Sequence, residues 1–325
     1  MDFIAQANPY KKSIWSYIGG FLVSFVGGQT LGAIPLGIAI FLKINYFDND
    51  TTQTDGENIY KLLDSNLFLF LMLLAFVTSM IVLLFWIKIL HRQPIKSLIT
   101  SRKKMDWGRF RFAFVTWGLV IVFITFLDYW ESPEKYIFNF KLIPFLILLF
   151  VAVIFIPIQA AYEEFVFRGY LMQGIGLHAK NRWMPLVTTS LIFGLLHLGN
   201  PEISKLGYEV ILVYIAMGFF FGIVTLMDEG IELSLGFHVV NNLVTALLVT
   251  TDWTAFQTES VFRDVSEPDV KFQFLSLLPL LVMLYIFTKK YNWTGWKEKL
   301  TGQIVLPTEE PSPINKEVLS ENNNG

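Results

Sequence analysis

Residues 142–169 read LIPFLILLFVAVIFIPIQAAYEEFVFRG, and this stretch decides the fold class. No charged side chain occurs in residues 142–162. A helix needs roughly 20 mostly apolar residues to cross a bilayer, because hydrocarbon offers no partner to unpaired backbone groups. The stretch therefore predicts a membrane-spanning helix, and its second half carries two carboxylates and a guanidinium.

The composition of the whole chain supports a membrane protein. Of 325 residues, 54% are apolar and 16% are charged, the mean hydropathy is +0.51, and 31 residues are phenylalanine; about 25% charged residues is typical of soluble chains. These values exclude an ordinary cytosolic enzyme and a disordered hub. A net charge of −2 argues against a nucleic-acid partner, and the absence of cysteine excludes disulfides and thiolate chemistry.

The apolar runs predict an all-α fold, a polytopic membrane helix bundle with about eight transmembrane helices. The first run follows two lysines and is longer than the core of a signal peptide, so we expect it to be retained as an anchor. The predicted spans lie near residues 14–43, 66–90, 110–129, 141–175, 183–199, 207–227, 231–251 and 272–289.

We divide the chain into four regions by these spans and by the polar residues they contain. Residues 1–140 form a three-span N-terminal membrane region, and residues 141–251 form a four-helix core that carries the candidate site. Residues 252–290 hold the last loop and the eighth span. Residues 291–325 form a polar cytoplasmic tail, which we expect to be disordered.

The distribution of Lys and Arg sets the orientation, because cytoplasmic loops of membrane proteins are enriched in both. The segment between the second and third spans should lie in the cytoplasm, since it holds Lys88, Arg92, Lys96, Arg102, Lys103, Lys104, Arg109 and Arg111. Alternation of the spans then places both termini inside. We expect an integral protein of a bacterial cytoplasmic membrane.

Ionisable residues inside spans are the informative ones, because each costs at least about 2.5 kcal/mol at mid-bilayer. Glu163, Glu164 and Arg168 form an EExxxR pattern in the fourth span. Glu164 and Arg168 stand four residues apart on one helix face and can form an ion pair. Glu163 points about 100° away from Glu164, so we expect it to face a cavity.

Two further polar pairs fall inside later spans. Phe193 and His197 form an FxxxH pattern, and His238 and Asn242 lie one helical turn apart in an HxxxN pattern. Counted at the helical rise from the nearest turns, Glu163 and His197 lie about 20 Å deep, and Asn242 about 17 Å along its own helix. The sequence therefore predicts one chamber within the membrane that all four side chains line.

Such a chamber supports hydrolysis of an amide by activated water. A buried carboxylate resists ionisation, so Glu163 can accept a proton, and His197 beside it can help to hold the water. His238 and Asn242 can donate hydrogen bonds to an oxyanion. Two alternatives stay open: a hydroxyl nucleophile at Thr189 or Ser190, and a zinc ion held by His197, His238 and Glu163.

In this order and spacing, the three patterns resemble the CAAX prenyl protease and bacteriocin-processing family of intramembrane proteases, also called the Abi family. The resemblance covers residues 141–251. It implies that Glu163 and His197 activate the water, that His238 and Asn242 form the oxyanion site, and that the Glu164–Arg168 pair holds the cavity together. It also implies a membrane-associated peptide or protein as substrate, in eukaryotic relatives a prenylated one.

Two other functions use the same polar chamber. A non-enzymatic immunity or scaffold protein would bind a partner helix there, and a proton-coupled transporter would use buried Glu and His to move protons. No metal or other cofactor is required by the leading hypothesis, with zinc as the alternative.

Overall fold

The computed structural model describes residues 2–47 and 59–306, and in this part of the chain it is a bundle of eight apolar helices. Six are long enough to cross a membrane, and α5 and α7 are shorter. Their bounds are α1, Ile14–Tyr46; α2, Ser65–His91; α3, Trp107–Glu131; α4, Leu142–Ala179; α5, Trp183–Gly199; α6, Tyr208–Asp228; α7, Glu232–Leu248; and α8, Gln273–Tyr291. The polytopic helical bundle expected from the sequence is confirmed.

Short helices precede, join and follow these spans. They are a 3-10 helix at Ala5–Tyr10 and α-helical turns at Ile59–Leu62, Lys96–Ile99, Glu202–Leu206 and Trp296–Thr301. Residues 48–58 and the part of the expected tail from residue 307 onward lie outside the described residues. The described part of that tail is not wholly irregular, because it contains the helix Trp296–Thr301.

The short helix α7 lies in the middle of the bundle. It packs against α3 along one side and α4 along another, and α4 in turn packs against α2. Every residue of Glu232–Val240 is buried. Because other helices surround its first half, α7 contacts mainly protein there. It therefore does not need to be as long as the hydrocarbon layer is thick.

Two glycines bring α1 and α2 into close contact. A Cβ atom on Gly28 would lie 2.6 Å from the Cα atom of Ser79, and one on Gly32 would lie 2.4 Å from the Cα atom of Ala75. Only glycine permits this approach of the two backbones. Gly28 and Gly32 therefore allow α1 and α2 to pack backbone against backbone.

The helix α4 changes its winding next to its charged residues. The α-helical part, Leu142–Glu164, is followed by a π-helical segment at Phe165–Leu171 and by α-helix again from Met172. Short π segments are rare and are often found at functional sites. All seven residues of this segment are buried, including Arg168.

A small sheet adds strands to the helical fold. Strands β1 (Tyr136–Phe138), β2 (Val249–Thr250) and β3 (Phe262–Asp264) form it in the order β1-β3-β2, with β1 antiparallel and β2 parallel to β3. Since β1 precedes α4 and β2 follows α7, the sheet lies at one end of the bundle. We call this end the sheet face.

The opposite end, here called the terminal face, brings both ends of the described chain together. Arg182 pairs with Asp2 and, at 3.8 Å, with Glu229, which also pairs with Lys299. In the basic segment before α3, Arg102 pairs with Asp228 at 3.0 Å and with Glu232 at 3.1 Å. These ion pairs hold the N-terminal segment, the basic segment and helix Trp296–Thr301 against the turn between α6 and α7.

Candidate active site

The ion pair expected between Glu164 and Arg168 is present at the centre of the bundle. Arg168 Nη1 lies 3.3 Å from Glu164 Oε1, and both side chains are fully buried. Arg168 Nη2 donates a hydrogen bond of 3.3 Å to the backbone oxygen of Gly218 in α6. The guanidinium also lies over the rings of Phe167, Phe193 and Phe221, at 5.7, 4.5 and 5.1 Å from their centroids.

His238 connects this ion pair to Glu163. Its Nδ1 atom lies 2.9 Å from Glu164 Oε1, and its Nε2 atom lies 3.5 Å from Glu163 Oε2. The imidazole stacks on the ring of Phe221, with 4.8 Å between centroids and 14° between planes. His238 is therefore fixed between two carboxylates by its nitrogens and by a flat apolar contact.

Glu163 is partly exposed, and the amide side chain of Gln159 contacts it. Its side chain is 14% exposed, whereas that of Glu164 is 0% exposed. Glu163 Oε1 accepts a hydrogen bond of 2.7 Å from Gln159 Nε2, and Gln159 Oε1 accepts one of 2.9 Å from Asn242 Nδ2. The structure thus brings Glu163, His238 and Asn242 together through α4 and α7.

His197 lies in a 3-10 turn, Leu196–Gly199, at the end of α5. Its Nδ1 atom lies 2.8 Å from the backbone oxygen of Phe193, and its ring stacks on Tyr214 with 4.1 Å between centroids. A carbonyl oxygen can only accept, so the Nδ1 atom carries a proton and the Nε2 atom of the neutral ring is an acceptor. Glu163 is close enough for its charge to act on His197, although no direct hydrogen bond joins these two residues.

The hydroxyls considered as nucleophiles are bonded within their own helix. Thr189 donates to the backbone oxygen of Pro185 at 2.8 Å, and Ser190 donates to that of Leu186 at 2.7 Å. Both side chains are buried, and the backbone of Ser190 lies against Gly218 of α6. Neither hydroxyl contacts the side chains around Glu163.

The zinc alternative does not fit the side chains as they are placed. Among the described residues, no group of three or more His, Asp or Glu side chains is arranged to hold a metal ion. Of the expected ligands, His238 has both nitrogens directed at carboxylates, and His197 uses its Nδ1 atom on the backbone of Phe193. The expectation of His197, His238 and Glu163 as zinc ligands is therefore not supported by their geometry.

Two residues of this site had not been expected from the sequence. Gln159 lies one turn before Glu163, and its signal was available, because an amide within an apolar span needs partners. Tyr214 of α6 stacks on His197, and nothing in the spacing of its span distinguishes it from an ordinary buried aromatic residue. Trp117 of α3 also reaches the site indirectly, since it donates to the side chain of Asn241.

The helical bundle and this arrangement of side chains define a polytopic membrane protein of the CAAX protease type. Residues 142–244 match the family model described as type II CAAX prenyl endopeptidase Rce1-like, and the chain belongs to this family of proteases. It is 30% identical over 241 residues to the "Uncharacterized protein YyaK" of Bacillus subtilis (strain 168); the match covers 74% of this chain and 79% of that protein. No solved structure matches the chain.

Proposed function

We propose that the protein is an intramembrane endopeptidase that hydrolyses a peptide bond of a membrane-associated, lipidated protein. The observation that carries the proposal is the meeting of Glu163, His238 and Asn242 inside the bundle, with Glu163 as the more exposed of the two adjacent carboxylates. The family supports peptide hydrolysis as the reaction class.

In the proposed reaction Glu163 and the Nε2 atom of His197 hold the water. Glu163 takes one proton as the water oxygen attacks the carbonyl carbon, which produces a tetrahedral intermediate with a negative oxygen. When the carbon–nitrogen bond breaks, the leaving amine takes that proton from Glu163. The carboxylate is then ready for another cycle.

The developing oxyanion needs hydrogen-bond donors that are fixed in advance. Asn242 gives one N–H of its amide to Gln159 and keeps the second for the substrate. When His238 is protonated on both nitrogens, Nδ1 donates to Glu164 and Nε2, which at 3.5 Å is too far from Glu163 for a strong hydrogen bond, can donate to the oxyanion without movement of the ring. Glu164 and Arg168 position His238 and do not contact the substrate in this proposal.

The proposed setting is the cytoplasmic membrane of a bacterium, with both termini inside. The backbone nitrogen of Phe3 and the side chain of Lys299 both bond to Glu229 in the turn between α6 and α7, which supports a common side for the two ends of the described chain. The exposed basic side chains before α3 support the cytoplasm as that side.

The test is cleavage of a lipidated peptide by purified protein in lipid vesicles. We expect Glu163→Gln and His197→Ala each to lose at least 99% of the activity, in line with the about 10²–10⁴-fold contribution of general bases. Glu131→Gln, at the exposed end of α3, is the matched control and should cleave as the wild type does. Full activity of Glu163→Gln would contradict the proposal.

A further inference from the structure

We infer that Gln159 is the positioning residue of Glu163 and that a chain of hydrogen bonds beginning at Trp117 holds it in place. The inference rests on the proposed function of Glu163. It brings α3, which lies outside the stretch matched by the family model, into the active site.

The chain runs through four hydrogen bonds across three helices. Trp117 Nε1 donates to Asn241 Oδ1 at 3.1 Å, and Asn241 Nδ2 donates to Asn242 Oδ1 at 3.1 Å. Asn242 Nδ2 then donates to Gln159 Oε1 at 2.9 Å, and Gln159 Nε2 donates to Glu163 Oε1 at 2.7 Å. Each of the three amides accepts one bond and donates the next.

The two ends of this chain determine its direction. An indole nitrogen can only donate, and an ionised carboxylate can only accept. If any one of the three amides were reversed, two donors or two acceptors would face each other. The orientation of Asn241, Asn242 and Gln159 is therefore fixed by Trp117 at one end and by ionised Glu163 at the other, and bonds that run in one direction strengthen each other.

The surroundings hold Gln159 and Trp117 in place, whereas Asn241 and Asn242 between them are half-buried. Gln159 is 5% exposed and Trp117 is 6% exposed, and the indole stacks on Phe237 with 4.2 Å between centroids and 18° between planes. An amide in such a place costs free energy unless it is hydrogen-bonded. Gln159 satisfies both ends of its amide by joining Asn242 to Glu163.

Several ionisable groups surround Glu163. Gln159 differs from them because it is neutral and donates a hydrogen bond to Glu163. On α4 and the helices packed around it, these groups are Tyr162, Glu164, Arg168, His197 and His238. The neighbouring part of α2, Ser65–Trp86, contains no ionisable side chain. A donor directed at Oε1 stabilises an ionised carboxylate and leaves Oε2, the oxygen nearer His238, for the water of the proposed reaction.

The first test measures cleavage against pH for Gln159→Leu, which removes both hydrogen bonds. We expect kcat to fall about tenfold with KM nearly unchanged, and the acidic limb of the pH profile to move up by about one unit, as loss of a bond to a charged group predicts. Gln159→Glu should move the limb further, because a second carboxylate repels the first.

The matched control is Gln173→Leu, in the same helix but away from the site. Gln173 is 1% exposed and donates to the backbone oxygens of Phe3 and Ser97 near the terminal face. We expect this variant to lose stability as Gln159→Leu does but to keep the wild-type pH profile. A shift of the same size in both variants would show a structural effect only and would overturn the inference.

The far end of the chain gives an independent test. Trp117→Phe keeps an aromatic ring and removes the first donor of the chain. We expect kcat to fall about twofold to threefold, and the acidic limb of the pH profile to move in the same direction as in Gln159→Leu but by less. Trp293→Phe is its control, since Trp293 donates to Asp228 at the terminal face. No shift in Trp117→Phe would disprove the chain beyond Gln159.

An infrared titration separates this inference from the proposed function. The carboxyl band of Glu163 is identified by its loss in Glu163→Gln and followed against pH without any substrate. If the wild type cleaves nothing but Gln159→Leu raises the midpoint of this band, the proposed function fails and the positioning role stands. If the wild type cleaves and the midpoint does not move, only the positioning role fails.

Discussion

Arg168 shows at the scale of a single residue how this bundle accommodates a charge. The guanidinium is surrounded by phenylalanine rings and has one carboxylate partner, Glu164, and one carbonyl partner, Gly218. A buried pair of charges adds little net stability, whereas removal of one partner leaves the other charge buried and unpaired. The pair should therefore be sensitive to single changes and tolerant of a double change.

We predict that Arg168→Met lowers the free energy of unfolding by about 3–5 kcal/mol, because Glu164 is left without its cation. The double variant Glu164→Gln/Arg168→Met should regain most of that loss, since neither member of the pair then carries a charge. Thermal unfolding in detergent micelles measures both. A double variant as unstable as the single one would show that Arg168 acts through packing and not through charge.

Glu202 gives a second residue-scale prediction, this time outside the spans. It lies in the short helix between α5 and α6, is 8% exposed and accepts a hydrogen bond of 2.9 Å from the backbone nitrogen of Ala255. Burial raises the pKa of Glu202 above its usual value, in spite of that hydrogen bond. The folded protein therefore binds this proton more tightly than the unfolded chain does.

Because its pKa is raised, Glu202 makes the folded protein less stable as the pH rises. The contribution of Glu202 to stability is fully present below the unfolded pKa of about 4.3 and is lost as the pH rises through the raised folded value. We predict that Glu202→Gln, which keeps an oxygen for Ala255, unfolds at a higher temperature than the wild type at pH 8 but not at pH 4. Glu209→Gln, an exposed neighbour, should change neither value.

At the scale of helices, the contact between α1 and α2 depends on the absence of side chains at two positions. We predict that Gly32→Val destabilises the protein by about 1–3 kcal/mol, because the new Cβ atom would meet the backbone at Ala75 and Leu74. Gly37→Val is the control: Gly37 lies in the same helix, with no atom within 4 Å of its Cβ position. Equal unfolding temperatures for the two variants would contradict this account.

Helices and the charged pair were predictable from the sequence because they depend on local spacing. Apolar runs predicted eight helices, and the four-residue step from Glu164 to Arg168 predicted their contact. The link from Trp117 to Asn241 was not predictable, since it depends on how α3 and α7 rotate against each other. The strands were not predictable either, because each has only two or three residues and β1 pairs with a strand that lies far along the chain.

At the scale of the whole molecule, the two faces of the bundle differ in charge and should differ in location. The absence of cysteine allows single cysteines to report on each face. We predict that a membrane-impermeant maleimide labels Glu134→Cys and Glu267→Cys in intact cells, and labels Lys103→Cys and Lys297→Cys only after permeabilisation. All four positions are exposed. The reverse pattern would place the termini outside.

The three-stranded sheet has a mechanical consequence for how the proposed substrate would reach Glu163. Strand β1 continues into α4 and strand β2 leaves α7, so β3 joins the outer ends of the helices that carry Glu163 and His238. Sliding of one helix past the other would break these backbone bonds, whereas tilting about the joined end would keep them. The proposed substrate should thus tilt α4 against α7 about this joined end, and that motion would strain the Arg182–Glu229 pair at the terminal face.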